Sequence, residues 1–173
     1  ILFLNLVTDV FPAFALGMGE GDEEVMQRPP RDPAEPILTG AHWRTIMLHA
    51  TSITVATLAA FWLAIEWRQV STTEATTVAF LTLALAQLWH VFNMRNWREN
   101  LLTGQVTRNG YVWGAIALCI GILVVADLQP TISDTLRLAP LDSNVWLAVA
   151  GLSLAPVFLR EMTAIVMRVT RRR

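Results

Sequence analysis

The chain has 173 residues, of which 54% are hydrophobic and only 16% are charged, and its formal net charge is −1. A soluble domain carries about 25% charged residues, so this composition argues against a soluble globular protein. The single cysteine, Cys119, excludes an internal disulfide framework and a cysteine-based metal site.

The apolar residues are concentrated in blocks, which predict an all-α, polytopic membrane bundle of five transmembrane helices. Four blocks are long enough to cross about 30 Å of hydrocarbon. The first block is shorter, because a helix over residues 1–17 rises only about 25 Å. The predicted spans cover residues 1–17, 43–67, 75–94, 110–128 and 145–167.

The distribution of arginine predicts how these spans are oriented. One side of the membrane would have ten arginines in or beside its loops and the C-terminal tail, whereas the other would have only Arg68 and Arg137. The ten are Arg28, Arg31, Arg44, Arg95, Arg98, Arg108, Arg168, Arg171, Arg172 and Arg173. Because cytoplasmic loops are enriched in basic residues, we expect a cytoplasmic C-terminus and a first span that runs inward. The arginines follow this topology, so the lipid bilayer is an expected partner and nucleic acid is not.

The first predicted span contains polar side chains in the stretch LNLVTDVFPAFALG. Asn5, Thr8 and Asp9 are spaced i, i+3 and i+4, which places them on one face of a helix. An ionisable residue inside a span normally faces a cavity or an ion pathway. Hard cations prefer carboxylate, amide and hydroxyl oxygens, so these residues are a candidate cation site. The alternative is a kinked helix whose aspartate pairs with a basic residue on another helix.

Pro12 adds a second feature to this span. It has no N–H to donate to the carbonyl of Thr8, one helical turn earlier. The backbone oxygen of Thr8 is therefore expected to be free beside the carboxylate of Asp9. Transporters form cation sites where a helix opens at membrane depth in this way.

These residues resemble a known family. The segment NLVTDVFPAFALG, followed by RPPRDPAEPIL, is similar to the sixth transmembrane helix and the next cytoplasmic loop of P-type cation-transporting ATPases, which include the reticulum calcium pumps. The resemblance implies that residues 1–173 are helices six to ten of a ten-helix membrane domain. It also implies that the sixth helix is unwound in its middle, and that Asn5, Thr8 and Asp9 bind the cation.

The resemblance also implies partners and cofactors outside this chain. Mg²⁺ and ATP would be used by phosphorylation, nucleotide-binding and actuator domains, and the DKTG motif of phosphorylation does not occur here. We therefore expect no ATPase active site in this chain alone, and we expect the N-terminal remainder of the same pump as its partner. The first residue is Ile1, which fits the C-terminal part of a longer protein, in a bacterial plasma membrane.

Gln87 bears on how many ions are bound. When LALAQLWHVFN is aligned on Asn93, Gln87 takes the place of a carboxylate that belongs to a second ion site in the reticulum calcium pumps. Plasma-membrane-type calcium pumps have a glutamine there and lack the second site. The resemblance therefore implies a single Ca²⁺, with Gln87 as a further candidate metal ligand.

The residues after Asp9 leave the identity of the ion open. Val10 replaces the glycine of the family, and Phe11 replaces a smaller leucine. Na⁺, H⁺ or Mn²⁺ are therefore alternatives to Ca²⁺. A different class of function is a membrane scaffold or remnant fragment that transports nothing.

Two other polar groups have structural interpretations. His90 and Asn93 are expected to form hydrogen bonds between helices rather than to line the ion path. Arg160 and Glu161, near the end of the last span, are expected to form a structural ion pair.

Overall fold

A computed structural model describes residues 2–19, 30, 36–94 and 104–170. All regular elements within these ranges are helical, which confirms the predicted all-α fold. The helices are α1 (Leu2–Gly17), α2 (Gly40–Glu66), α3 (Thr72–His90), α4 (Gln105–Arg108), α5 (Gly110–Leu128), α6 (Pro130–Leu136), α7 (Ser143–Ser153) and α8 (Ala155–Thr170). A 3₁₀ turn, Val91–Met94, continues α3.

Within the described ranges, four helical segments are long and apolar enough to cross a membrane. They are His42–Glu66, Thr72–Met94, Gly110–Leu128 and Ser143–Thr163. The last segment contains α7 and the first part of α8, which are separated only at Leu154. The apolar helix α1, Leu2–Gly17, is shorter.

Side-chain caps determine where the long helices begin. Thr39 accepts a hydrogen bond from the backbone N–H of His42 at the start of α2. At the start of α3, Ser71 and Glu74 form a reciprocal capping box in which the Ser71 N–H donates to Glu74 Oε2 over 2.8 Å. Asn109 Oδ1 accepts from the N–H of Tyr111 at the start of α5. Such caps satisfy N–H groups that have no acceptor within the helix.

Helix α3 forms the centre of the bundle. In the most apolar stretch of α3, 61% of the residues are buried inside the bundle, whereas the corresponding share for α2 is 17%. Helix α2 therefore presents most of its surface to the surroundings. Leu81, Ala84 and Leu88 of α3 are completely buried. On the facing side of α1, Leu4 and Val7 join the same core cluster, as do Cys119 and Leu123 of α5. The apolar face of α1 is therefore held between α3 and α5.

Most of the arginines that predict the orientation lie outside the described residues. Seven of the ten arginines on the predicted cytoplasmic side lie outside the described residues: Arg28, Arg31, Arg95, Arg98 and Arg171–Arg173. The orientation of the chain in the membrane therefore stays a prediction.

Candidate cation site on the first helix

Helix α1 changes its register where its polar residues lie. Leu2–Asn5 and Phe11–Gly17 are α-helical, whereas Leu6–Val10 between them forms a π-helical turn. Thr8 and Asp9 belong to this turn. A π turn widens the helix by replacing i→i+4 hydrogen bonds with i→i+5 bonds, and such turns are frequent at functional sites. The backbone stays helical, so the structure has a widened turn where the resemblance implied an unwound segment.

The position of Pro12 accounts for an unusual contact of this turn. The prediction that Pro12 releases the carbonyl of Thr8 assumed the α-helical register. In the i→i+5 register the residue opposite Pro12 is Val7, whose carbonyl then has no helical N–H to accept from. The thiol of Cys119 on α5 donates to this carbonyl, with Sγ 2.9 Å from the oxygen. A neighbouring helix thus provides the donor that proline lacks.

The three predicted ligands of α1 differ in their exposure. Asn5 and Asp9 are exposed, whereas Thr8 is buried between the helices. Thr8 Oγ1 lies 3.0 Å from the carbonyl oxygen of Leu4 and 3.3 Å from Asp9 Oδ1. The single hydroxyl proton of Thr8 can be donated either to the Leu4 carbonyl one turn earlier or to the carboxylate of Asp9. The carboxylate itself lies on the side of α1 that the described residues leave uncovered.

Gln87 lies on the helix that packs against the π turn. It is half-buried on α3, and α3 contacts the turn directly. Its Oε1 is buried and has no hydrogen-bond partner among the described residues. Buried amide oxygens normally accept a hydrogen bond, so an amide oxygen without a donor is chemically suited to a cation.

The charge available in this region is small. Within the described ranges, no group of three or more histidine, cysteine, aspartate and glutamate side chains lies close enough together to hold a metal ion. A cation site on α1 would therefore combine the single carboxylate of Asp9 with neutral oxygens.

A second polar cluster lies at the far end of α3. The rings of His49 and His90 meet edge to face with their centroids 4.8 Å apart, which joins α2 to α3. Asn93 Nδ2 lies 3.2 Å from His90 Nδ1. His90 and Asn93 therefore contact each other at the end of α3, whereas hydrogen bonds between helices were predicted for them. The contact that joins two helices here is the pair of histidine rings. The expected ion pair is present, with Arg160 Nη1 3.7 Å from Glu161 Oε1.

Three polar contacts of α5 and its N-cap residue are not predicted from the sequence. Besides Cys119, Asn109 Nδ2 donates to the carbonyl of Ala15 over 3.0 Å, and Trp146 Nε1 donates to Asp127 Oδ2 over 2.9 Å. No pattern in the sequence reveals the first two, because their partners are about a hundred residues away. Asp127 lies near the end of an apolar block. Like Asp9, it is an ionisable residue within a predicted span, and this signal in the sequence marks it as a candidate for a specific polar partner.

The chain is similar to a family of known proteins. Residues 1–166 match the family model described as "Cation transporting ATPase, C-terminus". The chain is 34% identical over 159 residues to a calcium-transporting ATPase of Bacillus subtilis, which covers 92% of this chain and 18% of that protein. It is 32% identical over 169 residues to a calcium-transporting ATPase of Listeria monocytogenes, covering 96% of this chain and 18% of that protein.

A mammalian protein is also similar. The rat calcium-transporting ATPase type 2C member 2 is 28% identical over 165 residues, or 94% of this chain and 17% of that protein. The chain therefore spans less than a fifth of the length of these relatives. Together with the four apolar helices, the match to the family model identifies an integral membrane protein. The chain belongs to the cation-transporting ATPases of the P-type, and it corresponds to their C-terminal membrane region.

Proposed function

We propose that this chain is the C-terminal membrane part of an ATP-driven Ca²⁺ pump, and that Asn5, Thr8, Asp9 and Gln87 bind one Ca²⁺ during transport. The observation that carries the proposal is the carboxylate of Asp9 in a π turn of an apolar helix. Ca²⁺ is favoured over Na⁺, H⁺ and Mn²⁺ because the similar bacterial and mammalian proteins are named as calcium-transporting ATPases.

The ligand chemistry requires a partner for this site. Ca²⁺ takes about six to eight oxygen ligands, and the four side chains offer one carboxylate, two amide oxygens and one hydroxyl. The missing oxygens would come from water, backbone carbonyls and helices in the N-terminal remainder of the pump. The exposure of Asn5 and Asp9 fits this arrangement, because both side chains are open to such neighbours.

The four residues would have different tasks. Asp9 provides the only negative charge, so it would contribute most of the attraction for a divalent cation. The Thr8 hydroxyl oxygen lies 3.3 Å from Asp9 Oδ1, so it would be a neutral ligand beside that carboxylate. Asn5 and Gln87 would replace waters of the hydrated ion without adding charge.

Transport would couple this site to reactions elsewhere in the pump. ATP and Mg²⁺ would act in the cytoplasmic domains, where an aspartate is phosphorylated, and the site around Asp9 would change its exposure from the cytoplasm to the outer side. A π turn suits such a change, because it accommodates a shift of register within a continuous helix. We place the C-terminus in the cytoplasm and the protein in the bacterial plasma membrane.

The test is phosphorylation of the full-length gene product in membrane vesicles. We expect the gene upstream of Ile1 to encode the DKTG motif, and we expect Ca²⁺ to stimulate phosphoenzyme formation from ATP. Stimulation by Mn²⁺, Na⁺ or acidic pH in place of Ca²⁺ would overturn the choice of ion. Absence of the motif, or of any ion-stimulated phosphoenzyme, would contradict the pump and favour the scaffold.

A further inference from the structure

Among the described residues, the carbonyl of Val7 has one hydrogen-bond donor outside its own helix, and that donor is a thiol. Cys119 is completely buried, and its Sγ lies 2.9 Å from the Val7 oxygen. Val7 is only 1% exposed, so its carbonyl lies away from the surface of the described structure. A buried carbonyl that loses its donor keeps the full cost of its desolvation.

The thiol and Pro12 both affect the hydrogen bonding of the same carbonyl. Pro12 removes the N–H that would otherwise satisfy the carbonyl in the i→i+5 register. Cys119 supplies a donor from α5, so the π turn keeps its register without an unsatisfied carbonyl. Without this donor, the turn would gain by rotating the Val7 carbonyl toward another partner.

Rotation of this turn would move the proposed cation ligands. Val7, Thr8 and Asp9 are consecutive residues of the π segment Leu6–Val10. A change in the direction of the Val7 carbonyl therefore reorients the peptide groups that carry Thr8 and Asp9. We propose that Cys119 is a positioning residue, which fixes the π turn and so aims the Asp9 carboxylate at the cation. This inference rests on the proposed function of Asp9.

A second contact between α1 and α5 keeps the helices together when the thiol is removed. Asn109 Nδ2 donates to the carbonyl of Ala15, two turns further along α1, over 3.0 Å. Its Oδ1 is held by the N–H of Tyr111, so the amide is oriented by the start of α5. Removing the thiol should consequently loosen the π turn while α1 stays packed on α5.

The experiment compares variants at Cys119 in the full-length pump. Cys119→Ala and Cys119→Val remove the donor, whereas Cys119→Ser keeps one. Ile116→Val is the matched control, because Ile116 is buried on the same helix one turn away and makes no side-chain hydrogen bond. The measurement is phosphoenzyme formation from ATP as a function of Ca²⁺ concentration, which yields a half-maximal concentration and a maximal level for each variant.

We expect the Ala and Val variants to raise the half-maximal Ca²⁺ concentration by about fivefold to tenfold, the size of one lost buried hydrogen bond. The maximal level should stay the same, because the phosphorylation site is not altered. The Ser variant and Ile116→Val should remain within about twofold of the wild type. This rescue by serine separates a positioning role from simple packing.

Two results would overturn the inference. One is an unchanged half-maximal concentration in both donor-free variants, and the other is a Ser variant as impaired as the Ala variant. If neither donor-free variant accumulates in the membrane, the Ser variant is compared with the wild type: a half-maximal concentration within about twofold supports the inference, and a larger increase overturns it. Asp9→Asn is measured in parallel. If it loses Ca²⁺ dependence while Cys119→Ala behaves as the wild type, only this inference fails, whereas Ca²⁺ dependence that survives in Asp9→Asn refutes the proposed site.

Discussion

Two aspartates of this chain lie in apolar helices, and their surroundings suit them to different tasks. Asp9 is exposed, and its Oδ1 lies 3.3 Å from the hydroxyl oxygen of Thr8. Asp127 is 3% exposed, and one of its oxygens accepts a hydrogen bond from Trp146. Its other oxygen, Oδ1, has no partner within the described ranges. Asp9 can therefore meet a cation or another helix, whereas Asp127 joins α5 to α7.

The contact between Asp127 and Trp146 should contribute to stability. Trp146→Phe removes the indole N–H and leaves a buried carboxylate without a donor, so we expect it to lower the free energy of unfolding by about 1–3 kcal/mol. Urea unfolding of the detergent-solubilised pump measures this loss. Trp62→Phe is the control, because the Trp62 side chain is 59% exposed and should be neutral. Equal stability of the two variants would contradict the role of this hydrogen bond.

Gln87 should affect Ca²⁺ binding rather than folding. Gln87→Ala removes the buried amide oxygen that has no donor, and we expect it to raise the half-maximal Ca²⁺ concentration for phosphorylation by about tenfold, the effect of losing roughly 1.4 kcal/mol. Thr82→Val is the control on the same helix, because the Thr82 hydroxyl is also buried and unpaired in the described structure. Loss of Ca²⁺ affinity in both variants, or in neither, would argue against Gln87 as a ligand.

At the scale of the helix, the register of α1 is the decisive feature. The α-helical segment Phe11–Gly17 begins directly before Pro12, and the π turn precedes it. The thiol of Cys119 and the packing of Leu4 and Val7 against α3 hold this turn from the inside. Asn5 and Asp9 are thereby exposed on the opposite side, whereas Thr8 stays buried.

The sequence predicts some of this arrangement and not the rest. Long apolar blocks predict helices because a membrane accepts few alternatives, and the motif around Asp9 and Pro12 indicates a disturbed helix. The register itself depends on a thiol from α5, more than a hundred residues away, so local periodicity does not determine it. For the same reason, the burial of Thr8 differs from the exposure of Asn5 and Asp9, although an α-helical spacing places all three on one face.

Pro12→Ala should separate stability from ion binding. The alanine restores an N–H and favours the α-helix by about 3 kcal/mol over proline in a helix interior, so the π turn should relax. We expect higher resistance to unfolding together with weaker Ca²⁺ activation of phosphorylation. Pro156→Ala is the control, because Pro156 lies in the first turn of α8, where no helical donor is lost. Unchanged Ca²⁺ activation in Pro12→Ala would contradict a functional π turn.

At the scale of the whole molecule, α3 is the central element and α1 lies at the side of the bundle. Trp89 of α3 donates to Ser153 of α7, which ties the centre to the last span over 3.1 Å. Helix α2 exposes Trp43, Val55 and Leu58, as expected for a helix that faces lipid. The described residues leave the ligand side of α1 open to other helices of the pump.

The orientation in the membrane can be tested with single cysteines. Thr72 is the exposed first residue of α3, and Gln105 is the exposed first residue of α4. An impermeant maleimide should label Thr72→Cys in intact cells and Gln105→Cys only after the membrane is opened. Buried Cys119 should stay unlabelled in the parent protein, which controls for the background. Labelling in the reverse order would contradict the orientation inferred from the arginines.

Direct binding of radioactive Ca²⁺ to the full-length pump tests the central claim, that α1 carries the cation site. We expect one bound Ca²⁺ per phosphorylatable molecule in the wild type. Asp9→Asn should bind none at the same Ca²⁺ concentration, while it remains in the membrane in normal amount. Full Ca²⁺ binding in Asp9→Asn would contradict the account.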